Sequence, residues 1–294
     1  MGKLDGKVAL VTGAGGGLGR SHAMLLAAHG ASVVVNDLGG ARDGTGTGTN
    51  MADQVVAEVK AAGGSAVADY GSVSNPADAQ QMTQTAVDTF GRLDILINNA
   101  GILRDKSFKH MTNEMWDAVI DVHLNGTYRV TRAAWDQMII QGDGGRVINT
   151  SSSSGLIGNF GQANYAAAKA GIAGLTRVLA IEGRKDRITV NTLAPGAFSR
   201  MTEDLMELMP DSAEDTMAPH KVSPAVVFLC TDDAKDITGR QFGIRGNRVS
   251  LLSWQVTVVA ERDAAEDAWT VEDIGEQIMD SLESWPKPLN PMEF

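Results

Sequence analysis

Sulfur and positive charge are both scarce in this chain. Cys230 is the one cysteine among 294 residues, which excludes an internal disulfide framework and any multi-cysteine zinc or iron–sulfur site. Lys plus Arg number 25 against 36 Asp plus Glu, a formal net charge of −11, so no global positive field draws in DNA or RNA. No window approaches the roughly 18 consecutive apolar residues of a membrane span. The start, Met-Gly-Lys-Leu-Asp-Gly, lacks the apolar stretch of a signal peptide and has Gly6 where a myristoylation motif needs Ser or Thr. The end, Pro-Met-Glu-Phe, is not a peroxisomal tripeptide. The expectation is a cytoplasmic protein with no membrane span and no nucleic-acid partner. With no internal repeat and no proline-rich linker, one domain over 1–294 is expected, with a core of about 4–245 and an extension of about 246–294.

Glycine, by contrast, is abundant: 33 residues, many within the first fifty. Short apolar runs at Lys7–Val11, Ser32–Asp37, Ser65–Asp69, Ile95–Asn98, Arg146–Thr150, Thr189–Thr192 and Gln241–Ile244 read as strands buried on both faces. Between them, helical patterns cover Gly19–Ala28, Asn50–Ala61, Pro76–Phe90, Asn113–Gln141, Asn164–Glu182 and Pro224–Thr231. Trp269-Thr-Val-Glu-Asp opens a further, capped helix. The alternation predicts an α/β fold: a Rossmann-type, doubly wound, mostly parallel seven-stranded sheet with helices on both faces.

The first strand runs into Thr12-Gly-Ala-Gly-Gly-Gly-Leu-Gly19, followed by a helix. Glycines there let the backbone approach a pyrophosphate, while free N–H groups at the helix start attract it. The spacing fits neither G-x-G-x-x-G nor a P-loop. Asp37 closes the second strand, 24 residues after Gly13. A carboxylate at that place accepts from both adenosine ribose hydroxyls and repels a 2′-phosphate, favouring NAD over NADP; its other reading is a turn former before Gly39-Gly40. Asn98-Asn-Ala-Gly101 follows a buried strand and by itself reads equally as a turn.

Tyr165 and Lys169 stand four apart in a helical segment, hence on one face. A phenol near pKa 10 is a poor base at neutrality, and a neighbouring cation lowers it. The pair can move a proton in alcohol–ketone chemistry, or it can be an ordinary surface pair.

Thr12-Gly-x-x-x-Gly-x-Gly, Asn98-Asn-Ala-Gly101 and Tyr165-x-x-x-Lys169 together resemble the short-chain dehydrogenases/reductases. Longer stretches, among them Val35-Asn-Asp-Leu-Gly-Gly40, Ala100-Gly-Ile-Leu-Arg-Asp105 and Gly158-Asn-Phe-Gly-Gln-Ala-Asn-Tyr165, resemble one branch. That branch is the (3R)-hydroxyacyl-CoA dehydrogenase unit of peroxisomal multifunctional enzyme type 2 and its stand-alone bacterial relatives. The resemblance implies NAD held by Gly13, Gly17, Leu18, Gly19, Asp37, Asn99, Ala100, Gly101, Tyr165, Lys169, Pro195 and Ala197. It implies catalysis by Ser152, thirteen residues before Tyr165, with Tyr165 and Lys169, and no metal. The substrate implied is a small molecule, an acyl-CoA or a steroid alcohol, handled by a homodimer or homotetramer. The alternative from another class is a non-catalytic NAD-binding interaction protein.

Six positions carry open expectations. His123 stands where many members have Asn, and it either preserves that residue's main-chain role beside the lysine or is structural. Gly71 replaces an Asp expected near the adenine, leaving Ser72, Asp69 or the backbone to serve. Thr202, after Pro195-Gly196, has a weaker claim than Ala197 to the nicotinamide side. Arg104, Lys106 and Lys109 either form a basic mouth for CoA or are loop charges paired with Asp105 and Glu114.

Overall fold

The computed structural model describes residues 2–197, 217–263 and 267–286. Eight strands form one sheet: β1 (Val8–Thr12), β2 (Ser32–Asn36), β3 (Ser65–Asp69), β4 (Ile95–Asn98), β5 (Gly145–Thr150), β6 (Ile188–Gly196), β7 (Gln241–Arg245) and β8 (Arg248–Leu252). Their order is β3-β2-β1-β4-β5-β6-β7-β8. All pairs are parallel except β7–β8. Every β1 residue is buried, because helices cover both faces.

The expectation of seven strands is corrected to eight. Strand β8 returns from β7 through Gly246-Asn247, with Gly246 at φ +55°. A two-residue Gly-Asn loop is itself a hairpin signal. The apolar pattern gives no sign of β8 because the strand is largely exposed and carries no continuous apolar run.

Helices α1 (Gly17–Ala28), α2 (Asn50–Ala61), α3 (Pro76–Phe90), α4 (Asn113–Ile120), α5 (Gly126–Gln141), α6 (Ser153–Leu156), α7 (Ala163–Glu182), α8 (Ser223–Leu229) and α9 (Val271–Ser281) account for the main crossovers and the C-terminal segment. Leu26, Val55, Val59 and Val226 pack with Val11, Val33, Ile97 and Ile148 on one face of the sheet. Met82, Val130, Met138 and Ala180 pack with Leu10, Val34, Leu96 and Val147 on the other. Thr270 caps α9 by accepting from the Asp273 N–H at 3.1 Å, as the sequence predicts.

One expected helix is broken. Asn113–Gln141 divides into α4, a π-helical turn at Asp121–Asn125, and α5. Such a turn widens the helix by one residue and is frequent at functional sites. Here it turns His123 into the interior, where the ring is buried.

Candidate active site

The sheet reverses its order of filling between β1 and β4, and open α/β sheets take ligands beside such a point at the strands' carboxyl ends. A cleft of about 1010 Å³, open to solvent, lies there. It is walled by the glycine loop at Gly13–Leu18, by Asp37, by the loop that follows it, and by Asn99–Ile102.

Gly13 and Gly19 are required by close packing. A Cβ on Gly13 would stand 2.8 Å from the Ala100 Cα, and one on Gly19 would stand 2.2 Å from the Gly13 carbonyl oxygen. Gly16 is an extended N-cap without a side-chain cap, so α1 starts at Gly17, two residues earlier than the sequence indicated, and Gly17 and Leu18 line the cleft in its first turn. Uncapped N–H groups facing a cleft match the needs of a pyrophosphate. Asp37 accepts from the Gly15 N–H at 2.8 Å and the Gly39 N–H at 2.7 Å. A carboxylate has about four acceptor sites, so a ribose diol can still be received. These residues fit a dinucleotide.

The Asn98–Gly101 segment divides its labour. Asn98 Nδ2 donates to Thr131 Oγ1 and Asn149 Oδ1, both at 2.8 Å, and Asn149 Nδ2 donates to Thr176 Oγ1 at 2.9 Å. This buried ladder joins β4 and β5 to α5 and α7. Asn99 Nδ2 donates to the carbonyls of Thr12 and Gly13, and the N–H groups of Asn99 and Ala100 donate to Thr12 Oγ1. Thr12 is thus part of the site, and its place directly before the glycine run is the signal that could have found it.

The structure brings Ser152, Tyr165 and Lys169 together. Ser152 ends the segment after β5 and caps α6, accepting from the Ser154 N–H at 3.2 Å. Lys169 Nζ donates to the Thr150 carbonyl at 2.6 Å and lies 5.4 Å from the Tyr165 ring centre. Burial pushes the Tyr165 phenol up to about 12; its hydrogen bond with Ser152 pulls the other way, and the Asp105 charge adds to the rise. Burial also pushes the Lys169 ammonium down to about 7. The expectation that the lysine lowers the phenol is therefore corrected: burial dominates, and the opposing pull comes from Ser152 rather than from Lys169.

His123 joins the cleft to this cluster. Its ring meets Tyr165 edge to face at 5.1 Å. A Cβ on Gly101 would stand 2.3 Å from its Cε1. Nε2 lies 2.8 Å from the Ile102 carbonyl oxygen and 3.1 Å from the Ile102 nitrogen, while Nδ1 is buried with no partner among the described residues. Burial and then the Lys169 charge drive its pKa down to about 3, so the ring is neutral at working pH.

Other expected residues are distributed differently. Pro195 lies in β6 and lines a separate small pocket with Ser153 and Arg245, while Ala197 is buried after the strand. Neither is among the walls of the large cleft. Thr202 falls outside the described residues. Gly71 and Ser72 line the cleft, whereas Asp69 is occupied by Asn36, the Gly71 N–H and Thr85. Arg104 donates to the Asp43 carbonyl at 2.8 Å, and Lys106 and Lys109 are exposed. Among the described residues none of the three pairs with Asp105 or Glu114; Asp105 receives Gln162 instead.

Residues 7–212 match the family model of the short chain dehydrogenases, and the chain belongs to that family of oxidoreductases. It is 48% identical over 281 residues to the mouse peroxisomal multifunctional enzyme type 2, covering 95% of this chain but 37% of that protein. It therefore spans little more than a third of that relative's length. Against the hydroxyacyl-CoA dehydrogenase ChsB1 of Mycobacterium tuberculosis it is 42% identical over 260 residues, covering 85% of this chain and 80% of the other. A crystal structure of a short chain dehydrogenase from Mycobacterium avium superposes with a TM-score of 0.85 at 42% identity, covering 98% of both chains.

Proposed function

We propose that the protein interconverts a secondary alcohol and its ketone with NAD, its substrate being a (3R)-3-hydroxyacyl-CoA and the corresponding 3-ketoacyl-CoA. The observation that carries this reading is the meeting of Ser152, Tyr165 and Lys169 beyond a cleft fitted to a dinucleotide. The names of the relatives support the acyl-CoA. Asp37, walling the cleft with a carboxylate, supports NAD over NADP.

Gly13, Gly17, Leu18, Gly19, Asp37, Asn99, Ala100 and Gly101 would hold the adenosine and pyrophosphate. Tyr165, Lys169, Pro195 and Ala197 would serve the nicotinamide side. NAD, when bound, supplies the hydride acceptor. Ser152 orients the alcohol oxygen, Tyr165 as phenolate takes the hydroxyl proton, and Lys169 stabilises that phenolate. A homodimer or homotetramer working in the cytoplasm belongs to the same reading. The exposed face of α7, with Ala167, Ala170, Val178 and Ile181, supports the self-association.

Reduction of NAD is measured against (3R)- and (3S)-hydroxyacyl-CoAs and steroid alcohols. Turnover confined to the (3R) thioesters is expected. Preference for a steroid would reassign the substrate, and binding of NAD without any turnover would leave a non-catalytic NAD-binding protein.

A further inference from the structure

The loop between β2 and α2 is a small folded object. The Ala41 N–H donates to the Thr45 carbonyl at 2.7 Å, and the Gly44 N–H donates to the Ala41 carbonyl at 3.0 Å. Asp43 Oδ1 accepts from the N–H and hydroxyl of Thr45, and these bonds, with a smaller contribution from the Arg104 charge, hold its carboxyl below the ordinary value. Residues 41–45 therefore form one hydrogen-bonded turn. It is flanked by glycines in the left-handed region: Gly39 at φ +74°, packed against the Gly48 backbone, and Gly46 at φ +76°. A Cβ at Gly46 would touch nothing within 4 Å, so packing does not hold that hinge.

Across the cleft stands a fixed post, the segment after β4. The Arg104 carbonyl accepts from Asn164 Nδ2 at 3.1 Å, the Lys106 N–H donates to the Gly161 carbonyl, and Asn164 Oδ1 accepts from the Tyr165 N–H at 2.7 Å. This post is thereby bound to the start of the helix that carries the phenol. Flap and post are joined by the Leu103 N–H to the Arg42 carbonyl at 3.1 Å and by Arg104 Nε to the Asp43 carbonyl at 2.8 Å. Gly40, Ala41, Arg42 and Gly44 meanwhile line the cleft.

We propose that Arg104 is a positioning residue that latches the 41–45 flap over the bound nucleotide and ties the closed flap to the helix bearing Tyr165. The inference rests on the reading of the cleft as the dinucleotide site. It gives Arg104 a task different from holding CoA phosphates: the guanidinium controls how long the cofactor stays. Opening the flap costs both bonds to the post, one of them charge-assisted, and the open Gly46 hinge turns without strain.

The test is stopped-flow release of NADH from the wild-type protein and from Arg104→Met, which keeps the stem and removes the donor. Release about tenfold faster is expected from loss of that one bond, with KM for NAD raised, KM for the alcohol unmoved, and the melting temperature within about one degree. Arg104→Lys, which restores a cationic donor, should recover part of the slow release. Hydrogen exchange on the wild-type chain supplies an independent measure, because NADH should slow exchange of the 39–48 amides. Unchanged release in Arg104→Met, or amides 39–48 indifferent to NADH, overturns the latch while leaving the cofactor reading intact. Absence of NADH binding to the wild type overturns both.

Discussion

Tyr165 is a group whose task and surroundings pull in opposite directions. Alcohol oxidation needs its phenolate, yet burial holds the phenol up to about 12 and the adjacent ammonium down to about 7. Protonated phenol is the form that donates to a ketone. Oxidation should therefore accelerate across pH 7 to 10 as the phenolate fraction grows, while reduction stays level or falls. A flat kcat profile for oxidation would contradict a Tyr165 base. Tyr165→Phe should abolish turnover in both directions and leave NADH affinity nearly intact, as read by fluorescence titration, because the ring and its contact with His123 persist. Asp37 does double duty at the same scale, since it also fastens the N–H groups of Gly15 and Gly39. Asp37→Ala should weaken NAD binding by at least tenfold and raise the NADP/NAD ratio of kcat/KM, a ratio that removal of a purely structural carboxylate would not shift.

Among the elements, the π-helical turn between α4 and α5 most directly couples backbone to chemistry. It inserts His123 between the Gly101–Ile102 wall and the Tyr165 ring. Gly101 is small because that ring lies against it. Gly101→Ala would force the imidazole off the Ile102 backbone and away from Tyr165, costing about 1–3 kcal/mol as overpacking does. The expected result is a melting temperature lowered by several degrees and a kcat reduced at least tenfold, measured in parallel. Wild-type values for both would mean that the turn yields freely and does not position the phenol. The ladder from Thr131 through Asn98 and Asn149 to Thr176 serves a related purpose, since it holds α5 and α7 in register with β4 and β5.

For the molecule as a whole, buried neutral imidazoles set the acid limit. Burial lowers His22 to about 4, and burial with the Lys169 charge lowers His123 to about 3. Both folded values lie below the ordinary value for an unfolded chain. Their stability is therefore fully present above about pH 6.5 and drains away as the unfolded state takes up protons down to pH 4 and then 3. The melting temperature should fall steeply over that window. His22→Gln, keeping a partner for Ser223, should flatten the slope between pH 6.5 and 4; an unaltered slope would place the acid sensitivity elsewhere.

Local chemistry determined much of this protein directly from its sequence. The glycine run between strand and helix, the carboxylate closing β2 and the four-residue spacing of Tyr165 and Lys169 each impose geometry on neighbours a few residues away. The parallel sheet was legible for the same reason, since continuous apolar runs report burial on both faces. Strand β8 was missed because an exposed edge carries no such run, and the π-helical turn because its cause is long range: a ring seeking Ile102 and Tyr165. Whether His123 faced the site, whether Arg104 reached ligand or flap, and whether burial or the lysine won at Tyr165 were likewise beyond pattern. Each depends on which distant groups meet and how much water they lose in meeting. Those are properties of tertiary packing, which sets the distances and local dielectric that decide a proton's affinity.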